Sequence, residues 1–222
     1  MLKAVVFDMD GVIIDSEESH FICFKRFLKE RGIHYTEEEN QNFLGVTDFY
    51  IFRELKKKYP QELLEPIPIL VEQRKNFFLQ MLPKKLEPLP GVVSLIQEVK
   101  GAKLSLGLAS SSVKFIIDKI LRGCGIFSYF DQIVGGEDVA EGKPHPEIYL
   151  AIAKKLSVEP RYCVVLEDTE FGLRAAKAAG MKCVAIPRSL SLNQNFDRAD
   201  MRVDSMEKIR LMTLKKLFGT ED

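Results

Sequence analysis

The chain has 222 residues, 46% of them hydrophobic and 29% charged, and its 32 basic side chains balance 32 acidic ones. That composition suits one large globular domain, or a main domain with a smaller partner, and supplies no basic excess for nucleic acid or an anionic membrane surface. No apolar run approaches ~18 residues and the first residues do not resemble a signal peptide, so a cytoplasmic chain with no membrane segment is expected. Cys23, Cys124, Cys163 and Cys183 stand far apart without a C-x-x-C pair, which predicts free thiols and no zinc site.

Ala4 to Phe7 is a short apolar run and reads as a buried parallel strand. It leads into Asp8, Met9, Asp10 and Gly11. Side chains two apart on a strand point the same way, so Asp8 and Asp10 should emerge together near its carboxyl end. Two adjacent carboxylates repel unless a cation stands between them, which makes the pair a candidate metal or catalytic site. Ser16 is placed to cap a helix beginning Glu17-Glu18, followed by Phe21, Phe24 and Leu28 at helical spacing and closed by Gly32. Thr36 and Glu39 predict a capping box for a second helix ending near Leu44-Gly45. A third helix is expected from Asp48 to Tyr59, and a fourth from Pro68 to about Leu82. Residues 16–83 are therefore read as all-helical.

Beyond Leu86, helices and strands alternate. Helices are expected at Val92–Lys100, Ser112–Leu121, Pro146–Leu156, Thr169–Ala179 and Ser205–Leu217. Strands are expected at Leu104–Ala109, Gln132–Val134, Tyr162–Leu166, Lys182–Ile186 and Met201–Val203. This alternation predicts an α/β fold, a doubly wound parallel sheet that includes the opening strand, with the helical block inserted after that strand. The division is residues 1–15 and 84–222 for the α/β core and 16–83 for the insertion.

Active sites of open parallel sheets lie at the carboxyl ends of the strands. Those ends collect Asp8 and Asp10, then Ser110, Ser111 and Ser112, then Lys143 in Gly142-Lys-Pro144, then Glu167 and Asp168. Such a set suits a divalent, oxygen-loving cation and an anionic substrate, with Lys143 as a fixed positive charge. Other signatures fail. A Walker A loop ending at Gly142-Lys143 would need Gly at 137 and Ser or Thr at 144, where Glu137 and Pro144 stand. No G-x-S-x-G elbow, H-E-x-x-H pair or cysteine-phosphatase loop is present, and Gly123-Cys-Gly125 follows a helix, not a strand.

Asp-Met-Asp-Gly after the first strand, Ala-Ser-Ser-Ser after the second, Gly-Lys-Pro-His-Pro-Glu-Ile-Tyr and Leu-Glu-Asp-Thr resemble the four motifs of the haloacid dehalogenase superfamily. The resemblance spans nearly the whole chain, with residues 16–83 similar to the small helical cap of its β-phosphoglucomutase-like subgroup. It implies that Asp8 is a nucleophile forming an aspartyl-phosphate and that Asp10 is the acid and base. It also implies that Ser110 and Lys143 bind the transferring phosphoryl, and that Asp8, the Asp10 carbonyl, Asp168 and Glu167 hold Mg²⁺. Dehalogenases of the superfamily lack the second acid, so Asp10 points to phosphoryl transfer.

Among the remaining residues, Ser112 is read mainly as a helix cap, while Ser111 can also present its N–H to phosphate. His20 resembles a cap-hinge histidine of the subgroup, set against a structural role on its helix face. Arg74 lies on an apolar stripe, so it either snorkels to water or faces a site; Arg74 or Lys75 is the candidate cap cation, and Gly45 the cap glycine. The implied activity is Mg²⁺-dependent hydrolysis of a small soluble phosphomonoester such as a sugar phosphate, with a monomer as the default state. A phosphomutase of the β-phosphoglucomutase type is the nearest alternative, and a non-catalytic phosphate-binding relative a further one. Mutases of the subgroup carry a basic residue before the cap glycine and an arginine three positions after it. This chain has Leu44 and Asp48 there, and an acid opposes a distal phosphate.

Overall fold

The computed structural model describes residues 1–82 and 86–219, without the side chain of Glu17. Its sheet contains β1 (Ala4–Phe7), β2 (Ser105–Ala109), β3 (Gln132–Val134), β4 (Cys163–Glu167), β5 (Lys182–Ala185) and β6 (Met201–Arg202). All pairings are parallel and the order is β3-β2-β1-β4-β5-β6, the doubly wound α/β arrangement expected from the alternation. Alternating side chains divide between the two faces. Val5, Phe7, Leu106, Leu108, Val164 and Leu166 pack on one side with α5 (Val92–Gly101), α6 (Lys114–Gly123) and α9 (Leu211–Lys216). Ala4, Val6, Cys163 and Val165 pack on the other with α7 (Glu147–Leu156) and α8 (Glu170–Ala178).

The sheet's register positions the site. Phe7 pairs with Leu108 on one side and Leu166 on the other, so Asp8 leaves β1 level with the ends of both neighbouring strands. Between β1 and α5 the chain forms α1 (Glu17–Lys29), α2 (Glu37–Gln41), α3 (Asp48–Lys58) and α4 (Ile67–Met81). These helices enclose a core of their own, built from Phe24, Phe27, Leu28, Phe52, Leu55 and Leu70. The expected boundary at residues 83–84 falls outside the described residues. All four thiols are free, and no helix among the described residues is long and apolar enough to cross a membrane.

Several sequence expectations are corrected. The Thr36–Glu39 capping box forms, but α2 stops at Gln41 and residues 42–46 continue as turns. The helix expected over 205–217 breaks in two, a 3₁₀ turn at Met206–Lys208 and then α9. Glu98 of α5 causes the break, because its carboxylate accepts the Leu211 N–H at 2.8 Å and the Arg210 guanidinium at 3.0 Å, capping a new helix start. Ser16 sits at the N-cap of α1 but makes no side-chain cap bond. Ser112 is no cap either: α6 starts after Val113, and the carboxylate of Glu137 accepts the Lys114 N–H at 2.8 Å. Both hydroxyls are used by Asp10 instead.

Candidate active site

The Asp8-Met9-Asp10-Gly11 segment folds into a tight turn after β1, with the N–H groups of Ile13 and Ile14 donating to the Met9 carbonyl. Gly11 has φ +77°, and a Cβ there would lie 1.9 Å from Asp168 Oδ2, so only glycine lets the turn approach that carboxylate. One oxygen from each of Asp8, Glu167 and Asp168 falls within 4.8 Å of the others, and all three residues are buried.

Lys143 reaches this group from the loop before α7. Its ammonium donates to Asp8 Oδ1 at 2.6 Å and to Glu167 Oε1 at 2.5 Å. Burial alone would neutralise that amine, but the two carboxylates outweigh it and raise its pKa, so it stays a cation. Burial pushes the Asp8 carboxyl up, with Glu167 and Asp10 adding to the rise and Lys143 opposing it. Two carboxylates, Asp8 and Glu167, therefore share one ammonium at the strand ends.

Glu167 is fully engaged. Oε1 also accepts the Tyr149 hydroxyl at 2.6 Å, while Oε2 accepts the N–H of Asp168 at 3.1 Å and both the N–H and hydroxyl of Thr169 at 3.2 and 3.0 Å. A Cβ at position 172 would lie 1.8 Å from Oε1, so Gly172 opens the first turn of α8 to this carboxylate. Burial and the charges of Glu167 and Asp8 push the Tyr149 phenol well above its ordinary value, keeping it a donor. Tyr149 closes the Gly-Lys-Pro-His-Pro-Glu-Ile-Tyr motif, but the motif assigns it no role. The available signal was a tyrosine on the apolar Ile148–Ile152 face of a helix, whose hydroxyl needs a polar partner once buried.

Asp10 faces the helical insertion. Its Oδ1 accepts the Ser16 hydroxyl and lies 3.2 Å from His20 Nε2, and its Oδ2 accepts Ser112 Oγ at 3.0 Å. Burial would raise this carboxyl, but His20 and the two hydroxyls outweigh it and hold it at about 2. The Arg74 guanidinium donates to His20 Nδ1 at 2.5 Å, which leaves Nε2–H as the donor toward Asp10. Ser110 is fully buried, with its Oγ accepting the Ser112 N–H at 3.1 Å and lying 3.5 Å from Asp10 Oδ2.

Above these groups, the insertion and the sheet enclose a cavity of ≈ 450 Å³ lined by Asp8, Asp10, Lys143 and Asp168 on the core side and His20, Gly45, Arg74 and Lys75 on the helical side. Ser111 and Ser112 line it; Ser111 Oγ donates to the Gly45 carbonyl at 2.8 Å, joining the insertion to the core beside the carboxylates. Arg74 neither snorkels nor stands free. It is 1% exposed, lies 4.4 and 4.9 Å from the ring centroids of Phe24 and Phe78, and donates to Asp48 Oδ2 at 3.0 Å. The bare negative charge expected at Asp48 is thus a neutralised pair.

A doubly wound sheet carries a carboxylate pair after its first strand, a buried lysine and two further acids at one edge, all beneath a helical insertion, which is the arrangement the four sequence motifs imply. The family model for haloacid dehalogenase-like hydrolases matches residues 5–186, and the chain belongs to that family. It is 37% identical over 198 residues to Beta-phosphoglucomutase of Bacillus subtilis (strain 168), covering 83% of each chain. It is 35% identical to Phosphorylated carbohydrates phosphatase of Thermotoga maritima, covering 82% of this chain and 83% of that one. The crystal structure of beta-phosphoglucomutase from Clostridium difficile superposes with a TM-score of 0.88 at 26% identity, covering 98% of this chain and 97% of that chain. The relatives thus include both phosphatases and phosphomutases.

Proposed function

We propose that the protein is a Mg²⁺-dependent phosphatase of a small phosphomonoester, working through an aspartyl-phosphate on Asp8. The observation that carries this reading is the Asp8–Lys143–Glu167 array beside Asp10 and Asp168 at the floor of the cavity. Residues 1–15 and 84–222 form the catalytic part and residues 16–83 the cap in this reading. The sugar phosphates acted on by relatives are the first substrate class to test.

The buried carboxylates suit a hard divalent ion, since Mg²⁺ is commonly held by one or two carboxylates together with substrate phosphate oxygens and water. Asp8, Asp168 and the Asp10 carbonyl would hold it, with Glu167, whose oxygens already accept five hydrogen bonds, acting behind them. When bound, it neutralises phosphoryl charge in the transition state.

An Asp8 oxygen attacks phosphorus in line, and the bond to the ester oxygen breaks as Asp10 gives that oxygen its proton. Water then attacks the aspartyl-phosphate, Asp10 takes its proton, and the phosphorus–Asp8 bond breaks to release inorganic phosphate. Lys143 fixes Asp8 and balances the charge of the transferring group, while Ser110 and the Ser111 N–H contribute donors to it. Asp10 must be protonated for the first step, and in this structure Ser16, His20 and Ser112 favour its anion. The first step therefore requires Asp10 to leave some of those donors when substrate is bound.

The test is inorganic phosphate release from a panel of phosphomonoesters, with and without Mg²⁺, by the wild type and Asp8→Asn. Release that requires both Mg²⁺ and Asp8 is expected. Absence of turnover on every ester, or activity surviving in Asp8→Asn, refutes the reading. Conversion of β-glucose 1-phosphate to the 6-phosphate without net phosphate release would establish the mutase instead.

A further inference from the structure

The far end of the cavity is short of available positive charge. Among the described residues, the lysines and arginines lining it are Lys143, Arg74 and Lys75. Lys143 is committed to Asp8 and Glu167 at the phosphate end. Lys75 pairs with Glu72, and Arg74 with Asp48. The lining also includes the acid Glu137, and much of the remaining wall is apolar: Phe43, Leu44, Phe49, Val71, Val113 and Ile116. A second phosphate would bring two negative charges into a low-dielectric cleft where each cation already has an anionic partner.

The Arg74–Asp48 pair is the informative one. An acid at the first position of α3 is favourable at a helix amino terminus whatever else it does. Here, however, its carboxylate also reaches across to α4 and takes the guanidinium of the best-buried cation on the helical side of the cavity. The other Arg74 terminal nitrogen donates to His20 Nδ1, and Nε is buried without a partner, so Asp48 balances the guanidinium's charge although not every N–H is paired.

The geometry points to a single-phosphate substrate whose remaining part is uncharged, with Asp48 as the residue that sets this specificity by occupying Arg74. This inference rests on the phosphatase reading and narrows its substrate class. It works by exclusion: with Arg74 balanced by Asp48, a second phosphate would lose its water without meeting a free countercharge, and the monophosphate gains no new attraction.

Fructose 1-phosphate and fructose 1,6-bisphosphate differ only in the second phosphate and serve as the probes. Both are titrated calorimetrically into the Asp8→Asn protein at constant free Mg²⁺. The monophosphate is expected to bind about tenfold more tightly; a bisphosphate bound equally or more tightly overturns the assignment. Adding Asp48→Asn frees the guanidinium and should shift the ratio by about tenfold toward the bisphosphate, with a steeper salt dependence of bisphosphate binding. An unchanged ratio in a folded Asp48→Asn protein, judged by its thermal midpoint, removes Asp48 from the argument. If that variant does not fold, the first ratio alone decides. Phosphate release from fructose 1-phosphate by the wild type is measured in parallel. A monophosphate preference with no release from this or any other ester of the panel refutes the phosphatase reading and leaves the role of Asp48 in excluding a second phosphate standing.

Discussion

Tyr149→Phe removes one hydroxyl and leaves the ring in place against the sheet. In the native protein that hydroxyl donates to Glu167 Oε1 at 2.6 Å in a fully buried setting, on the same oxygen that receives Lys143. A hydrogen bond to a charged group contributes roughly 1.5–3 kcal/mol, so a loss of about 2 kcal/mol in unfolding free energy is expected. For a chain of this size that corresponds to a fall of roughly 4–8 °C in thermal midpoint. The assay is urea unfolding followed by circular dichroism, repeated for Glu167→Gln and for the double variant. The two single losses should not add, because both act on one hydrogen-bonded unit. A Tyr149→Phe protein within ~0.5 kcal/mol of wild type, or strict additivity in the cycle, would refute the claim that Tyr149 stabilises the Glu167–Lys143 array.

Three other outcomes are expected. Gly172→Ala would set a methyl group 1.8 Å from Glu167 Oε1, so the carboxylate must leave its donors; a loss of about 3 kcal/mol or more, with phosphate release falling in parallel, checks this. Gly11→Ala meets both the positive φ and the Asp168 carboxylate, and should weaken Mg²⁺ binding measured by calorimetry more than it lowers the thermal midpoint. Burial would raise the Asp200 carboxyl, but Lys177, Lys182 and the Cys183 N–H outweigh it and hold it below its ordinary value. A depressed carboxyl contributes stability above its unfolded pKa and loses it as pH falls through the folded one. Asp200→Asn should therefore be less stable than wild type by a constant margin above about pH 5, and the margin should shrink below about pH 4.

How much of this was legible in the sequence follows from the range of the interactions involved. The strands and the motif positions were readable because both depend on local patterning. Ala4–Phe7 is apolar since both its faces are covered, and Asp8, Ser110, Lys143 and Asp168 each lie at or after a strand end. The hydroxyls are less legible. Ser16 and Ser112 stand where caps stand, and only the proximity of Asp10, set by packing the insertion onto the sheet, diverts them. The Arg74–Asp48 pair joins residues 26 positions apart on two helices, and no local spacing reports it. The break before α9 has the same origin, a carboxylate delivered from α5 more than 100 residues earlier.

The central claim is a phosphoryl group carried on Asp8. Wild-type protein mixed with a turned-over phosphomonoester and Mg²⁺, quenched in acid and peptide-mapped by mass spectrometry, should carry one phosphoryl group on the peptide containing Asp8. Turnover with no phosphorylated peptide, or with the group on any other residue, would contradict the account.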